Sequence, residues 1–110
     1  MNILFICTAN RDRSKTAEHH FRKIKPEHEY KSCGINEYYC KTWGGTYLKR
    51  EHLEWADKVF CLYDNHVEEI QNRFENDYFD KITNLHVEDI YSYGNLTLIR
   101  ILEDRLKGKI

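Results

Sequence analysis

The sequence predicts a single α/β domain, in which helices pack on both faces of a parallel β-sheet. Two observations carry this prediction. A chain of 110 residues is long enough for one compact domain and too short for two. Short apolar segments typical of buried strands alternate along the chain with segments whose apolar residues follow a helical spacing. Strands that alternate with helices imply parallel pairing and right-handed crossovers.

The first half of the chain contains two predicted strands and two predicted helices. Asn2 to Cys7 is almost continuously apolar, as in a strand that is covered on both faces. After the polar segment 8–13, Ser14 opens a helix that runs from 15 to 24 and that Pro26 ends. A short strand is predicted over 30–33, an irregular aromatic segment over 36–45 and a helix over 47–55.

The second half repeats this alternation. The pattern predicts a strand over 58–63, a helix over 65–74, a strand over 81–87 and a closing helix over 96–106. Ligands of such sheets bind beyond the carboxyl ends of the strands. This rule draws attention to Cys7 with the loop that follows it, and to Glu88 and Asp89 after the fourth strand.

The composition excludes several classes of protein. With 17 basic and 18 acidic residues, the net charge of −1 gives no basic field for nucleic acid or a membrane surface. The apolar run 3–6 is too short to span a bilayer, and no basic segment precedes it as in a secretory signal. We therefore expect a cytoplasmic protein whose four cysteines are reduced thiols. No Cys-x2-Cys pair indicates a metal site, and no cofactor is expected.

The eight residues from Cys7 to Ser14 form the segment that most strongly indicates a catalytic function. Between a strand and a helix, a loop of this length can curl so that its backbone N–H groups surround an anion. The start of the next helix adds further N–H groups and the positive end of its dipole. Arg13 can bind two oxygens of a phosphate, and Asn10 suits a loop position with positive φ. The loop residues expected to surround the phosphate are Thr8, Ala9, Asn10, Arg11, Asp12, Arg13 and Ser14.

The field that attracts phosphate also stabilises a thiolate, and Ser14 can donate a hydrogen bond to the sulfur. Cys7 would then be a nucleophile aimed at phosphorus, with donors around the developing charge. The alternative is a buried, unreactive cysteine at the end of a strand with a solvated Arg13. We favour the reactive cysteine because a Cys, an Arg six residues later and an adjacent hydroxyl residue coincide with a predicted strand and helix.

The segment Cys-Thr-Ala-Asn-Arg-Asp-Arg-Ser resembles the cysteine loop of the low-molecular-weight protein tyrosine phosphatases. Supporting matches follow in the family's order: the Ser32 to Gly34 segment, 56–64 with its third strand, and 89–94 with its Asp-Pro-Tyr-Tyr loop. The resemblance implies a three-layer fold with a four-stranded parallel sheet in the order 2-1-3-4 and a phosphate-binding loop after strand 1. It covers residues 1–110 as a single domain.

The resemblance also implies a reaction. Cys7 would attack phosphorus and become phosphocysteine, while Arg13 and the loop amides hold the phosphoryl oxygens. Asp89 would protonate the leaving oxygen and then activate water. Asn10 and Ser32 would brace the loop through hydrogen bonds. The implied substrate is a phosphotyrosine protein or a small aryl phosphate, with inorganic phosphate as product or inhibitor, and the implied state is a monomer or weak dimer.

Four aromatic residues are candidates for the walls of the substrate cleft: Tyr91 on one side and Tyr38, Tyr39 and Trp43 on the other. Packing in the core or at the rim is the alternative role for each of them. The chain departs from the family in several places. It is shortened between Ser32 and Asp57, Asp12 replaces a cysteine of many relatives, and Ile90 and Ser92 replace a proline and a tyrosine near Asp89.

Two other functions remain open from the sequence. An arsenate reductase shares this loop and fold, but it needs relay cysteines, and Cys33, Cys40 and Cys61 do not lie where that family places its pair. A non-catalytic module that binds phosphate or a phosphopeptide would need the loop and not Asp89. Turnover of an aryl phosphate separates both from a phosphatase.

Overall fold

The computed structural model describes all 110 residues, and its four strands form one parallel sheet. The strands are β1 (Asn2–Cys7), β2 (Glu29–Gly34), β3 (Lys58–Cys61) and β4 (Ile82–Asn84). The helices are α1 (Arg13–Ile24), α2 (Glu37–Trp43), α3 (Arg50–Trp55), α4 (Asp64–Phe74) and α5 (Leu96–Leu106). The strand order β2-β1-β3-β4 confirms the expected topology.

Side chains of β1 alternate between two hydrophobic clusters, one on each face of the sheet. Ile3, Phe5 and Cys7 point toward the cluster that contains buried residues of α1 and α5. Leu4 and Ile6 belong to the cluster formed with α3 and α4. All of these strand residues are buried because helices cover both faces, which explains why β1 is apolar at every position from Ile3 to Cys7.

The segment between β2 and β3 differs from the prediction. Residues 36–45 were expected to be irregular, but they contain α2, whose ends carry standard signals. Asn36 accepts a hydrogen bond from the backbone N–H of Tyr39, and Gly44 ends the helix at φ +73°. The helix predicted over 47–55 starts only at Arg50, because Tyr47 forms a parallel bridge with Gly34 instead.

The fourth strand is also shorter than predicted, three residues instead of the seven over 81–87. A short 3₁₀ helix covers Phe79–Lys81, and His86 has a φ of +55°, which interrupts the extended backbone. Leu85 and Val87 still donate backbone hydrogen bonds to Cys61 and Leu62. Asp89 therefore lies in the loop beyond β4. None of the helices combines the length and the hydrophobicity that a membrane-spanning segment requires.

Candidate active site

Cys7 is the last residue of β1, and it lines an open cavity. The side chain is only 3% exposed, yet it lines a cavity of about 320 Å³. Cys7 Sγ lies 2.9 Å from Ser14 Oγ, so the hydroxyl can donate a hydrogen bond to an ionised sulfur. The other lining residues are Thr8, Ala9, Arg11, Asp12, Arg13, Tyr39, Trp43 and Asp89.

Asn10 holds the cysteine loop in its shape through its backbone conformation and its side-chain hydrogen bonds. Its φ of +54° is tolerated by asparagine better than by most residues. The buried amide donates to Ser14 Oγ at 2.9 Å and to Ser32 Oγ at 2.8 Å. Its Oδ1 accepts the backbone N–H of Thr46 at 2.9 Å. Asn10 therefore connects the loop to α1, β2 and the segment before α3.

Ser32 and two glycines complete this support. Ser32 Oγ donates to Glu18 Oε1 at 2.5 Å and accepts from Asn10. A Cβ at Gly34 would lie 2.7 Å from the Thr8 carbonyl oxygen, and one at Gly45 would lie 2.5 Å from that of Ala9. Both glycines are needed because two neighbouring segments pass directly against the loop.

Arg13 begins α1 and is held inside the protein with its guanidinium at the cavity. The residue is 3% exposed. Nη1 donates to the Val87 carbonyl oxygen at 2.8 Å, and Nη2 donates to Thr8 Oγ1 at 3.4 Å. Nε lies 3.5 Å from Asp89 Oδ1. The arginine thus links the loop that follows Cys7 to the loop that carries Asp89.

Asp89 stands at the mouth of the cavity, with its side chain 69% exposed. Two backbone contacts fasten the following residues to the start of α1. Asp12 Oδ1 accepts the N–H of Tyr93, and Thr16 Oγ1 accepts the N–H of Gly94, both at 3.0 Å. Contacts from Asp12 and Thr16 therefore hold the segment after Asp89, which lines the same cavity as Cys7.

The four candidate wall residues separate into two groups. Tyr39 and Trp43, both on α2, line the cavity, and the Arg11 guanidinium lies 3.8 Å from the centre of the Trp43 ring. Tyr38 is 73% exposed and does not line the cavity. Tyr91 packs against the hydrophobic cluster on the α1 and α5 face and lines a different, smaller hollow.

Sequence reasoning missed one residue behind the loop, His66 at the start of α4. It is fully buried, and its Nε2 lies 3.1 Å from Thr8 Oγ1. Burial, and secondarily the charge of Arg13, lowers the pKa of His66 to about 3, so the ring is neutral at physiological pH. The only available signal was its place just after the carboxyl end of the third strand.

The other cysteines are free and buried, like Cys7. Burial raises the pKa of Cys33 and of Cys61 to about 12 in each case, and it also raises that of Cys40. Thiols held in the protonated form are poor nucleophiles, so these three residues are unsuited to a redox relay at neutral pH.

Solved structures of similar fold were found over nearly the whole chain. The YwlE arginine phosphatase from Geobacillus stearothermophilus is 27% identical, with a TM-score of 0.71 over 98% of this chain and 91% of that one. A low-molecular-weight protein tyrosine phosphatase from Streptococcus pyogenes is 15% identical, with a TM-score of 0.78 over 99% and 93%.

The tyrosine phosphatase Wzb from Escherichia coli K30, solved in complex with phosphate, is 22% identical, with a TM-score of 0.74 over 96% and 93% of the two chains. No model of a protein family and no curated protein matches the sequence.

The chain therefore shares its fold with solved phosphatases, and a cysteine, an arginine and a carboxylate lie around one cavity. The chain has the fold of the low-molecular-weight protein tyrosine phosphatases, with the sheet order β2-β1-β3-β4 and the cysteine loop after β1.

Proposed function

We propose that the protein hydrolyses phosphotyrosine in proteins, or small aryl phosphates, through a phosphocysteine intermediate. One observation carries the proposal. The sulfur of Cys7, the guanidinium of Arg13 and the carboxyl group of Asp89 line a single open cavity. This set supplies a nucleophile, a cation for the phosphoryl oxygens and a proton donor.

In the first step, the Cys7 thiolate attacks phosphorus and forms a sulfur–phosphorus bond. The bond between phosphorus and the phenolic oxygen breaks, and that oxygen takes a proton from Asp89. Arg13 is already desolvated and held by Val87 and Thr8, so it needs little reorganisation to bind the equatorial oxygens. Ser14 stabilises the sulfur as a thiolate before the attack and as a leaving group afterwards.

In the second step, water attacks the phosphocysteine. The Asp89 carboxylate accepts a proton from the water, the sulfur–phosphorus bond breaks, and the thiolate of Cys7 is restored. Inorganic phosphate leaves the cavity. One carboxyl group serves both steps, because the leaving oxygen and the attacking water occupy the same side of the phosphorus.

The walls of the cavity support an aromatic substrate. The Tyr39 and Trp43 rings provide a surface for a phenyl ring. Arg11 adds a positive charge beside Trp43, which repels the guanidinium of a phosphoarginine and attracts acidic residues near a phosphotyrosine. The carboxylates of Asp12 and Asp89 act in the opposite sense, so phosphoarginine is the necessary comparison substrate.

The first experiment compares wild-type protein with Cys7→Ser on p-nitrophenyl phosphate. We expect hydrolysis by the wild type only, while the variant still binds phosphate in a calorimetric titration. Activity of the variant would remove Cys7 from the mechanism. Phosphate binding without turnover by the wild type would favour a non-catalytic module, and arsenate-dependent thiol oxidation would favour a reductase.

The second experiment compares a phosphotyrosine peptide, flanked by acidic residues, with the same peptide carrying phosphoarginine. We expect a higher kcat/KM for phosphotyrosine, and Arg11→Gln should reduce that preference. Lys41→Gln, an exposed change on α2 outside the cavity, is the control for general charge effects. A higher kcat/KM of the wild-type protein for the phosphoarginine peptide would contradict the proposal that phosphotyrosine is the substrate.

A further inference from the structure

His66 and Thr8 form a contact that the mechanism above does not use. His66 lies on α4, whereas Thr8 is the first residue after the nucleophile and lines the cavity. Their side chains meet at 3.1 Å, although 58 residues separate them in the sequence. His66 is fully buried, and this contact connects its imidazole to the loop that follows Cys7.

The hydrogen bonds of His66 determine which of its nitrogens carries the proton. Nδ1 lies 2.9 Å from the backbone nitrogen of Tyr63 and accepts its N–H. In a neutral imidazole the other nitrogen must then carry the hydrogen. Nε2 is therefore a donor, and the oxygen of Thr8 accepts from it.

The hydroxyl of Thr8 consequently has both of its acceptor positions engaged. It accepts from His66 Nε2 and, at 3.4 Å, from Arg13 Nη2. A hydroxyl group offers one hydrogen and two lone pairs, so the hydrogen remains free for another acceptor. Thr8 borders the cavity, where the acceptors of a bound substrate are the phosphoryl oxygens.

We propose that the Thr8 hydroxyl donates a hydrogen bond to a phosphoryl oxygen of the substrate, and that His66 is the positioning residue that directs it. The inference rests on the proposed function and adds to it one side-chain donor and its buried support. This donor is fixed before the substrate arrives, so it stabilises the phosphoryl group without reorganisation.

The test uses Thr8→Val, which keeps the shape of the side chain and removes the hydroxyl, and Thr8→Ser, which restores it. We expect Thr8→Val to lower kcat/KM for an aryl phosphate about tenfold or more and to weaken inhibition by inorganic phosphate. Thr8→Ser should recover most of both. Unchanged values in Thr8→Val would overturn the proposal.

Two substitutions of His66 separate its contacts. His66→Asn retains an acceptor near the Tyr63 N–H but loses the donor to Thr8, whereas His66→Gln places an N–H near the position of Nε2. We expect the asparagine variant to resemble Thr8→Val and the glutamine variant to stay closer to wild type. The double variant Thr8→Val/His66→Asn should be no worse than Thr8→Val, because both changes remove one interaction.

His52 provides a matched control, since its Nδ1 accepts the backbone N–H of Lys49 at 3.0 Å in the same arrangement at the start of α3. His52→Asn should leave kcat/KM and phosphate inhibition unchanged. Fully additive losses in the double variant would show that His66 acts only through the fold. If the His66 variants do not fold, the Thr8 pair still decides whether the hydroxyl is a donor.

Phosphate binding distinguishes failure of this inference from failure of the proposed function. A wild-type protein without hydrolytic activity would refute the function, while the effect of Thr8→Val on phosphate affinity would still test the donor. An active wild type whose kcat/KM and phosphate affinity are insensitive to Thr8→Val would refute the inference alone.

Discussion

The side-chain amide of Asn10 donates to the hydroxyl of Ser32 at 2.8 Å, which joins the phosphate-binding loop to the carboxyl end of β2. The same amide also reaches Ser14, the hydroxyl residue beside the sulfur of Cys7. The geometry around the proposed nucleophile is thus maintained by a buried chain of polar side chains, and we expect its members to be sensitive to substitution.

Asn10→Ala and Asn10→Gly separate the two roles of this residue. Both remove the side-chain hydrogen bonds of Asn10, so both should lower kcat/KM for an aryl phosphate about tenfold or more. Only alanine opposes the φ of +54°, which costs roughly 1 kcal/mol, so the alanine variant should unfold at a lower temperature than the glycine variant. Thermal unfolding and initial rates measure both effects. Equal melting temperatures would contradict the backbone argument.

Asp89→Asn should slow the reaction most for substrates with poor leaving groups. A phenolate of high pKa needs a proton as the bond to phosphorus breaks, whereas p-nitrophenolate leaves more easily without one. The measurement is kcat/KM for a series of substituted phenyl phosphates. Equal losses across the series would mean that Asp89 is not the acid, and Glu88→Gln is the adjacent control outside the cavity.

Asp12 should affect catalysis through the loop that carries Asp89. Asp12→Ala loses the acceptor for the Tyr93 N–H, so we expect a moderate fall in kcat that grows for poor leaving groups. Asp12→Asn retains an acceptor and removes a negative charge beside the anion. Its kcat should stay near wild type while phosphate inhibits more strongly. A loss of kcat in the asparagine variant equal to that in the alanine variant would contradict the positioning role.

Alkylation should be confined to Cys7. Burial raises the pKa of Cys33 and of Cys61 to about 12 and also raises that of Cys40, so these thiols stay protonated at pH 7. Iodoacetamide should add one group, phosphate should slow the reaction, and Cys7→Ser should remain unlabelled. Intact-mass and peptide-mass spectrometry give the answer, and modification of two or more cysteines in the folded protein would be inconsistent with the burial described above.

His66 should make the protein less stable in mild acid. Its pKa is about 3 in the folded protein and 6.5 in the unfolded chain, so between these values the unfolded chain binds more protons. The free energy of unfolding should therefore fall as the pH drops from 6.5 toward 3, by up to about 1.4 kcal/mol per pH unit from this residue. Urea unfolding at pH 7, 6 and 5 measures the slope, which His66→Gln should reduce. Parallel pH profiles for the two proteins would refute the assignment.

Most of the sheet could be predicted from sequence because burial on both faces leaves a clear local pattern. The expected bounds of β1 and α5 coincide with the structure, and those of α4 differ by one residue. The shorter elements were less predictable. Residues of α2 show no strong apolar periodicity, and only the caps at Asn36 and Gly44 indicated a helix. Pairing of Tyr47 with Gly34 depends on a neighbouring strand, which local sequence does not encode.

The cysteine loop could be identified without coordinates, since the spacing of Cys7, Arg13 and Ser14 between a strand and a helix is local. The way in which distant segments complete the site could be seen only in the folded molecule. The fold brings Asp89 to Arg13, Ser32 to Asn10 and His66 to Thr8, and it places Tyr39 and Trp43 at the cavity while Tyr91 packs elsewhere. The physical reason is that contacts across a parallel sheet depend on strand order and on the packing of helices. Neither can be deduced from the spacing of neighbouring residues.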